Sequence, residues 1–215
     1  MEIKEKILEA AGELFAKYGV RSVTMDDIAR SIAVSKKTIY QYFKDKDEIV
    51  TMATQAHMEA EKKDYDRIFS NASNAIEELA RVLVCFRKHL SEMNPSWLFD
   101  LQKYHHNAWK VWLSFKNGFI HNSIEKNLKR GVAEGYFRSN LNTNILATFR
   151  VEQVQMTFDD RVFPRNKFDF TEVQLQLFDH FVYGLITDKG RELYEEYQKT
   201  NTENYHLTQN EATRQ

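Results

Sequence analysis

Between residues 24 and 46 the chain gathers side chains suited to holding an anionic polymer. They are Thr24, Lys36, Lys37, Thr38, Tyr40, Gln41, Tyr42 and Lys46. Ammonium and hydroxyl groups grip phosphate oxygens, and amides or lysines placed in a groove read the polar edges of bases. In the second half of this stretch only Ile39 and Phe43 are apolar at helical spacing, so most of that helix's surface is free for another task. The implied partner is double-stranded DNA.

Other constellations are weaker. His105-His106 invites a metal reading, but adjacent helical residues diverge and no His-x-x-x-His pattern or nearby cysteine supports it. Glu203 and His206 have the spacing of di-iron helices, once only and in a polar tail, which reads as coincidence. Asp159-Asp160 with Arg161 lacks a third carboxylate and reads as a helix-end charge cluster. Cys85 lies in an apolar stretch and reads as a small buried residue. No catalytic residue, metal site or cofactor is assigned. An enzyme on a helical bundle is disfavoured because no nucleophile–base pair, metal set or phosphate loop is present.

The DNA-directed residues need elements to position them. Ile3, Ile7, Leu8, Ala11, Leu14, Phe15 and Tyr18 recur at helical spacing, and Gly19 follows as a left-handed cap. Thr24 is an N-cap with Asp27 three residues on, opening a second helix whose inner face is Ile28, Ala29 and Ile32. Val34 plugs a turn. Ser35 caps a third helix beginning at Lys36, whose first-turn amides are expected to face an anion. Asp45 caps a fourth.

The run SKKTIYQYFKDKDEIV, preceded by the Ile28-Ala29 helix and a long amphipathic one, resembles the DNA-binding head of TetR-type transcriptional regulators. The resemblance covers roughly the first 50 residues. It implies that Thr24, Lys36, Lys37, Thr38, Tyr40, Tyr42 and Lys46 contact DNA; Gln41 is added from its exposed position. Two positions depart from the pattern. Ala33 stands where the family usually has Gly, and Lys37 where it often has a small residue.

Composition sets the outer bounds. The chain has 215 residues, 42% hydrophobic and 28% charged, with a formal net charge of −1. That balance argues against indiscriminate coating of nucleic acid. Residues 1–50 carry nine Lys/Arg against nine Asp/Glu, and four lysines against one Asp fall between Lys36 and Lys46. A small basic patch on a neutral head implies that two heads act together on a palindromic site. One cysteine, no signal-peptide core and no long apolar run lead to the expectation of a cytoplasmic protein without a membrane partner.

Seven glycines, two prolines and no strand alternation give an all-α fold of about nine helices. Its expected parts are a three-helix helix-turn-helix head at 1–50, a helical domain at 51–199, and a disordered polar tail at 200–215. Stripes run through Ile76–Leu90, Trp109–Val132, Asn142 toward Pro164, and Val173–Ile186. The resemblance implies that the central region lines a small-molecule pocket, with Phe86, Trp97, Tyr104, His105, Trp109 and Trp112 as candidates for a lipophilic or aromatic effector. It also implies a homodimer built on helices near 142–162 and 171–188, with Phe149, Val154, Phe178, Phe181 and Leu185 as interface candidates. The expected function is a sequence-specific repressor released from its operator by that effector. The alternative is an effector-independent DNA-binding dimer whose large domain serves only dimerisation or protein contact.

Overall fold

Side-chain caps open most of the helices. The computed structural model describes the backbone of residues 2–212 and the side chains of residues 2–200, Glu92 excepted. Helix α1 (Ile3–Tyr18) buries Ile7, Ala11 and Phe15 and ends at Gly19. Gly19 has φ +80° and ψ 149°, outside the left-handed helical well expected of it and in a region open to glycine alone. A Cβ there would also stand 3.0 Å from Ser96 Oγ. Helix α2 (Met25–Ser31) opens with the expected reciprocal box: the Asp27 amide donates to Thr24 Oγ1 at 3.2 Å, and the Thr24 amide donates to Asp27 Oδ2 at 2.9 Å. Ser35 Oγ accepts from the Thr38 amide at 3.0 Å to start α3 (Lys36–Tyr40), and Asp45 Oδ1 accepts from the Glu48 amide at 2.9 Å to start α4 (Lys46–Asn71). Caps of this kind contribute about 1 kcal/mol each.

Helices α5 (Ala75–Glu92) and α6 (Trp97–Tyr104) follow. Then α7 (His106–Phe115), a π-helical turn (Lys116–Ile120) and α8 (His121–Ala133) run as one rod. The remaining helices are α9 (Thr143–Met156), α10 (Phe170–Tyr183) and α11 (Asp188–Ala212). With the rod counted once there are ten helices among the described residues, and the addition to the expected nine is α11. Its backbone stays helical past Thr200, where an irregular tail was expected; the side chains there, Glu203 and His206 included, lie outside the described residues. Helix α9 stops at Met156 rather than running toward Pro164. Thr157 Oγ1 donates back to the Val154 carbonyl at 2.8 Å, and hydrogen-bonded turns follow.

Two apolar clusters hold the helices. One joins the head, through Ile7, Phe15, Ile28, Ile39, Phe43 and Ile49, to Trp97, Leu98, Leu101, Ala108, Trp112 and Phe115 of α6 and α7. The other packs α5, α8, α9, α10 and α11 around Ile76, Leu83, Leu128, Phe178 and Tyr194. Each such large apolar side chain contributes about 1.5–3 kcal/mol on burial. The head's core therefore passes without a break into the wall of the larger body. Among the described residues no helix is long and apolar enough to cross a membrane.

Candidate nucleic-acid interface and internal cavity

Helices α2 and α3 meet through Ile28, Ala29 and Ile39, all 5% exposed or less. The turn between them closes by hydrogen bonds from the Ala33 amide to Arg30 O at 3.3 Å and from the Val34 amide to Ala29 O at 3.0 Å. Ala33 sits at φ +55°, alone among the described non-glycine residues in having positive φ. Helix α3 is a single short turn, so Gln41 and Tyr42 fall just past its end. The Tyr42 and Phe43 amides both donate to Ile39 O at 3.0 Å.

The surface left by this packing holds Lys36, Lys37, Tyr40, Gln41 and Tyr42 exposed, with Thr38 half-buried. The Thr38 amide is already taken by Ser35, so fewer free amides face outward than expected. The two lysines at the start of α3 differ. Lys36 Nζ lies 2.8 Å from Asp26 Oδ2, and that carboxylate raises the ammonium above its ordinary range. Lys37 has no ion-pair or hydrogen-bond partner among the described residues. Lys46 turns inward: its ammonium donates to Val20 O at 2.6 Å and lies 5.9 Å from the centre of the Phe15 ring, and burial lowers its pKa. Of the three N–H groups on that ammonium, two are left for an anion.

Polar contacts tie the head to the body. The Arg21 amide donates to buried Asp100 Oδ2 on α6 at 3.1 Å, and the Asn94 amide donates to Ala16 O at 2.8 Å. His105 Nδ1, at the α6–α7 junction, lies 2.9 Å from Asp47 Oδ1 in the first turn of α4. Behind α6 lies a cavity of about 160 Å³ walled by α4 to α10. Trp97 and Trp112 meet edge to face there, with ring centres 6.4 Å apart, beside Tyr65, Phe86 and Phe119. His89 on this wall lies 3.8 Å from Cys85 Sγ and 3.3 Å from Glu61 Oε1, which raise its pKa to about 10 and keep it protonated. The π-helical turn supplies Phe119 and Ile120 to the same wall, a common setting for such turns.

Residues 7–52 match the family model described as bacterial regulatory proteins, tetR family. The protein is a DNA-binding regulator with a TetR-type head. The uncharacterized HTH-type transcriptional regulator YvaF of Bacillus subtilis is 26% identical over 188 residues, covering 86% of this chain and 96% of its own. Two solved structures share the fold. A putative transcriptional regulator from Saccharomonospora viridis in complex with choline superposes with a TM-score of 0.70 at 18% identity, covering 86% of this chain and 97% of its own. FadR from Bacillus subtilis in complex with stearoyl-CoA does so with 0.61 at 20%, covering 84% of this chain and 98% of its own.

In the regulator, the expected pocket set divides. Phe86, Trp97 and Trp112 line the cavity. Tyr104, His105 and Trp109 do not: Tyr104 is exposed under the Arg21 guanidinium, His105 is engaged by Asp47, and Trp109 packs against the head's core. The expected dimer set also divides. Phe178, Phe181 and Leu185 are 7% exposed or less within one protomer, and Val154 and both phenylalanines are cavity wall. Their apolar stripe faces inward because a helix packed against its own body buries its most hydrophobic side first. Phe149 is 52% exposed and remains available to a partner, with Ile145 and Met156 on the same face of α9. Sequence reasoning missed Arg150, Glu61 and His89. Arg150 was legible in outline, as a charge set into the apolar run of Ala147, Val151 and Val154.

Proposed function

We propose that this regulator is a repressor that grips a palindromic operator as a homodimer and releases it when a small molecule fills the internal cavity. Residues 1–50 form the reading head and residues 51–199 the effector and dimer body. Lys37, Thr38 and Gln41 read bases in the major groove, while Thr24, Lys36, Tyr40, Tyr42 and Lys46 hold phosphates. Lys36 exchanges Asp26 for a phosphate on binding. Two heads related by a two-fold axis enter successive major grooves, so the half-sites are spaced by about one helical turn.

The observation that carries this reading is the shared wall. Trp97, Leu98 and Trp112 line the cavity and belong to the head's own core, and Asp100 of α6 accepts the Arg21 amide of the α1–α2 turn. A ligand that displaces α6 therefore changes the position of the head and the spacing between two heads. Only a difference in ligand affinity between the two spacings can produce release. The choline and stearoyl-CoA complexes of similar structures support a small-molecule role for this body.

The test begins with selection of bound duplexes from random DNA, which is expected to return an imperfect palindrome. Fluorescence anisotropy on that duplex is then followed across a panel of small molecules that raise the melting temperature. A compound that stabilises the protein and lowers operator affinity supports the reading. Stabilising compounds that all leave operator affinity unchanged would overturn it.

A further inference from the structure

Arg150 stands on the inward face of α9 and is 5% exposed. Its Nη1 donates to Gln153 Oε1 at 2.8 Å, and its guanidinium carbon lies 5.1 Å and 5.7 Å from the ring centres of Phe178 and Phe181. No carboxylate pairs with it among the described residues. Burial lowers its pKa to about 10, which leaves it charged at neutral pH.

The acids on the same wall are spoken for. Glu61 faces protonated His89 at 3.3 Å, and Glu78 faces Arg130 at 3.2 Å. Asp64 adds a second carboxylate 3.7 Å from His89. The aromatic faces under Arg150 attract it but do not neutralise it. A second donor on the wall is also unmet: the indole N–H of Trp112, a residue 6% exposed, has no acceptor among the described residues. A buried charge without a counter-ion opposes folding, and a ligand that supplies an anion removes that penalty.

We propose that the cavity binds a small hydrophobic monocarboxylic acid, its carboxylate paired with Arg150 and its hydrocarbon body held among Tyr65, Trp97, Trp112 and Phe119. A cavity near 160 Å³ is close in size to engineered cavities of about 150 Å³ that take benzene, so the body is one ring or a short alkyl chain. Carboxylate and guanidinium form two parallel charge-assisted hydrogen bonds, which an alcohol cannot reproduce. An amine or a quaternary ammonium group meets an unpaired cation. The likeness to a choline complex therefore does not carry over to the ligand's charge here. The inference rests on the reading of this cavity as the effector site.

The test titrates the full-length protein at pH 7 with octanoate, phenylacetate, octanol and octylamine, followed by tryptophan fluorescence. The acids are expected to bind at least about ten-fold tighter than octanol, and octylamine more weakly still. Arg150→Met is expected to bring octanoate down to the level of octanol while raising the melting temperature of the unliganded protein. That rise separates a ligand-binding arginine from one needed for folding. Arg150→Lys, which keeps the charge but not the paired hydrogen bonds, is expected to keep part of the preference.

Octanol or octylamine binding as tightly as the acids overturns the proposal, as does an acid preference that survives Arg150→Met. The absence of acid binding up to about 1 mM overturns it too. Operator anisotropy separates this inference from the reading beneath it. Acids that bind selectively and leave operator affinity unchanged keep the acid site and remove the effector role. A neutral compound that releases the operator while acids fail to bind does the reverse.

Discussion

Ala33 holds a backbone conformation that costs an L-residue about 1–2 kcal/mol and costs glycine little. Ala33→Gly is therefore expected to stabilise the protein by about 1 kcal/mol, read as a higher denaturant midpoint. A midpoint that stays or falls would show that the turn is not strained. The lysines make a second expectation. Lys37 is exposed and has no partner among the described residues, so Lys37→Ala is expected to change the sequences recovered from random DNA. Lys46 is half-buried against Val20 O, so Lys46→Ala is expected to lower both melting temperature and salt slope, the slope by about one counterion per head. An unchanged slope would leave Lys46 a purely structural residue. Caps such as Thr24, Ser35 and Asp45 were legible because their partners lie three residues away. The inward turn of Lys46 was not legible, since Val20 lies far back in the chain.

Helix α4 joins the reading head to the cavity, and α5 presses His89 against it beside Glu61 and Asp64. The folded-state pKa of His89 is raised to about 10 from an ordinary value near 6.5. Its contribution to stability is thus fully present below about pH 6.5 and is lost as pH rises toward 10. The melting temperature is expected to fall across that window, and His89→Gln is expected to flatten this part of the profile. A wild-type profile as flat as the variant's would remove the ion pair from the α4–α5 contact. The helices themselves were legible from their stripes, but which side of a stripe meets its own body was not. Phe178 and Phe181 satisfy a partner helix or an internal cavity equally well by spacing alone, and only the packing of α9 and α10 onto α5 and α8 decides between them.

The described residues leave an apolar strip on α9 without cover. Ile145, Phe149 and Met156 are 62%, 52% and 41% exposed, although Ala147 and Val151 of the same helix are buried. Burial of such a strip between two copies fits a homodimer that sets two heads at a fixed distance. Phe149→Glu is expected to shift the protein toward monomer in sedimentation experiments and to weaken operator binding by more than about ten-fold, through loss of the second head. Retention of a dimer of unchanged affinity would place the interface elsewhere.

The amino-acid sequence by itself determined the all-helical fold, the caps and the polar face of α3, because these depend on residues within a turn of one another. It also located the strain at Ala33. Tertiary structure alone decided what stands opposite each side chain. It turned Lys46 inward, moved Val154 and Phe178 from a supposed interface into a cavity wall, and left Arg150 buried without a counter-ion among the described residues. Those outcomes depend on pairs of residues far apart in the chain, and hydrophobic periodicity records only that a face is buried, not by what.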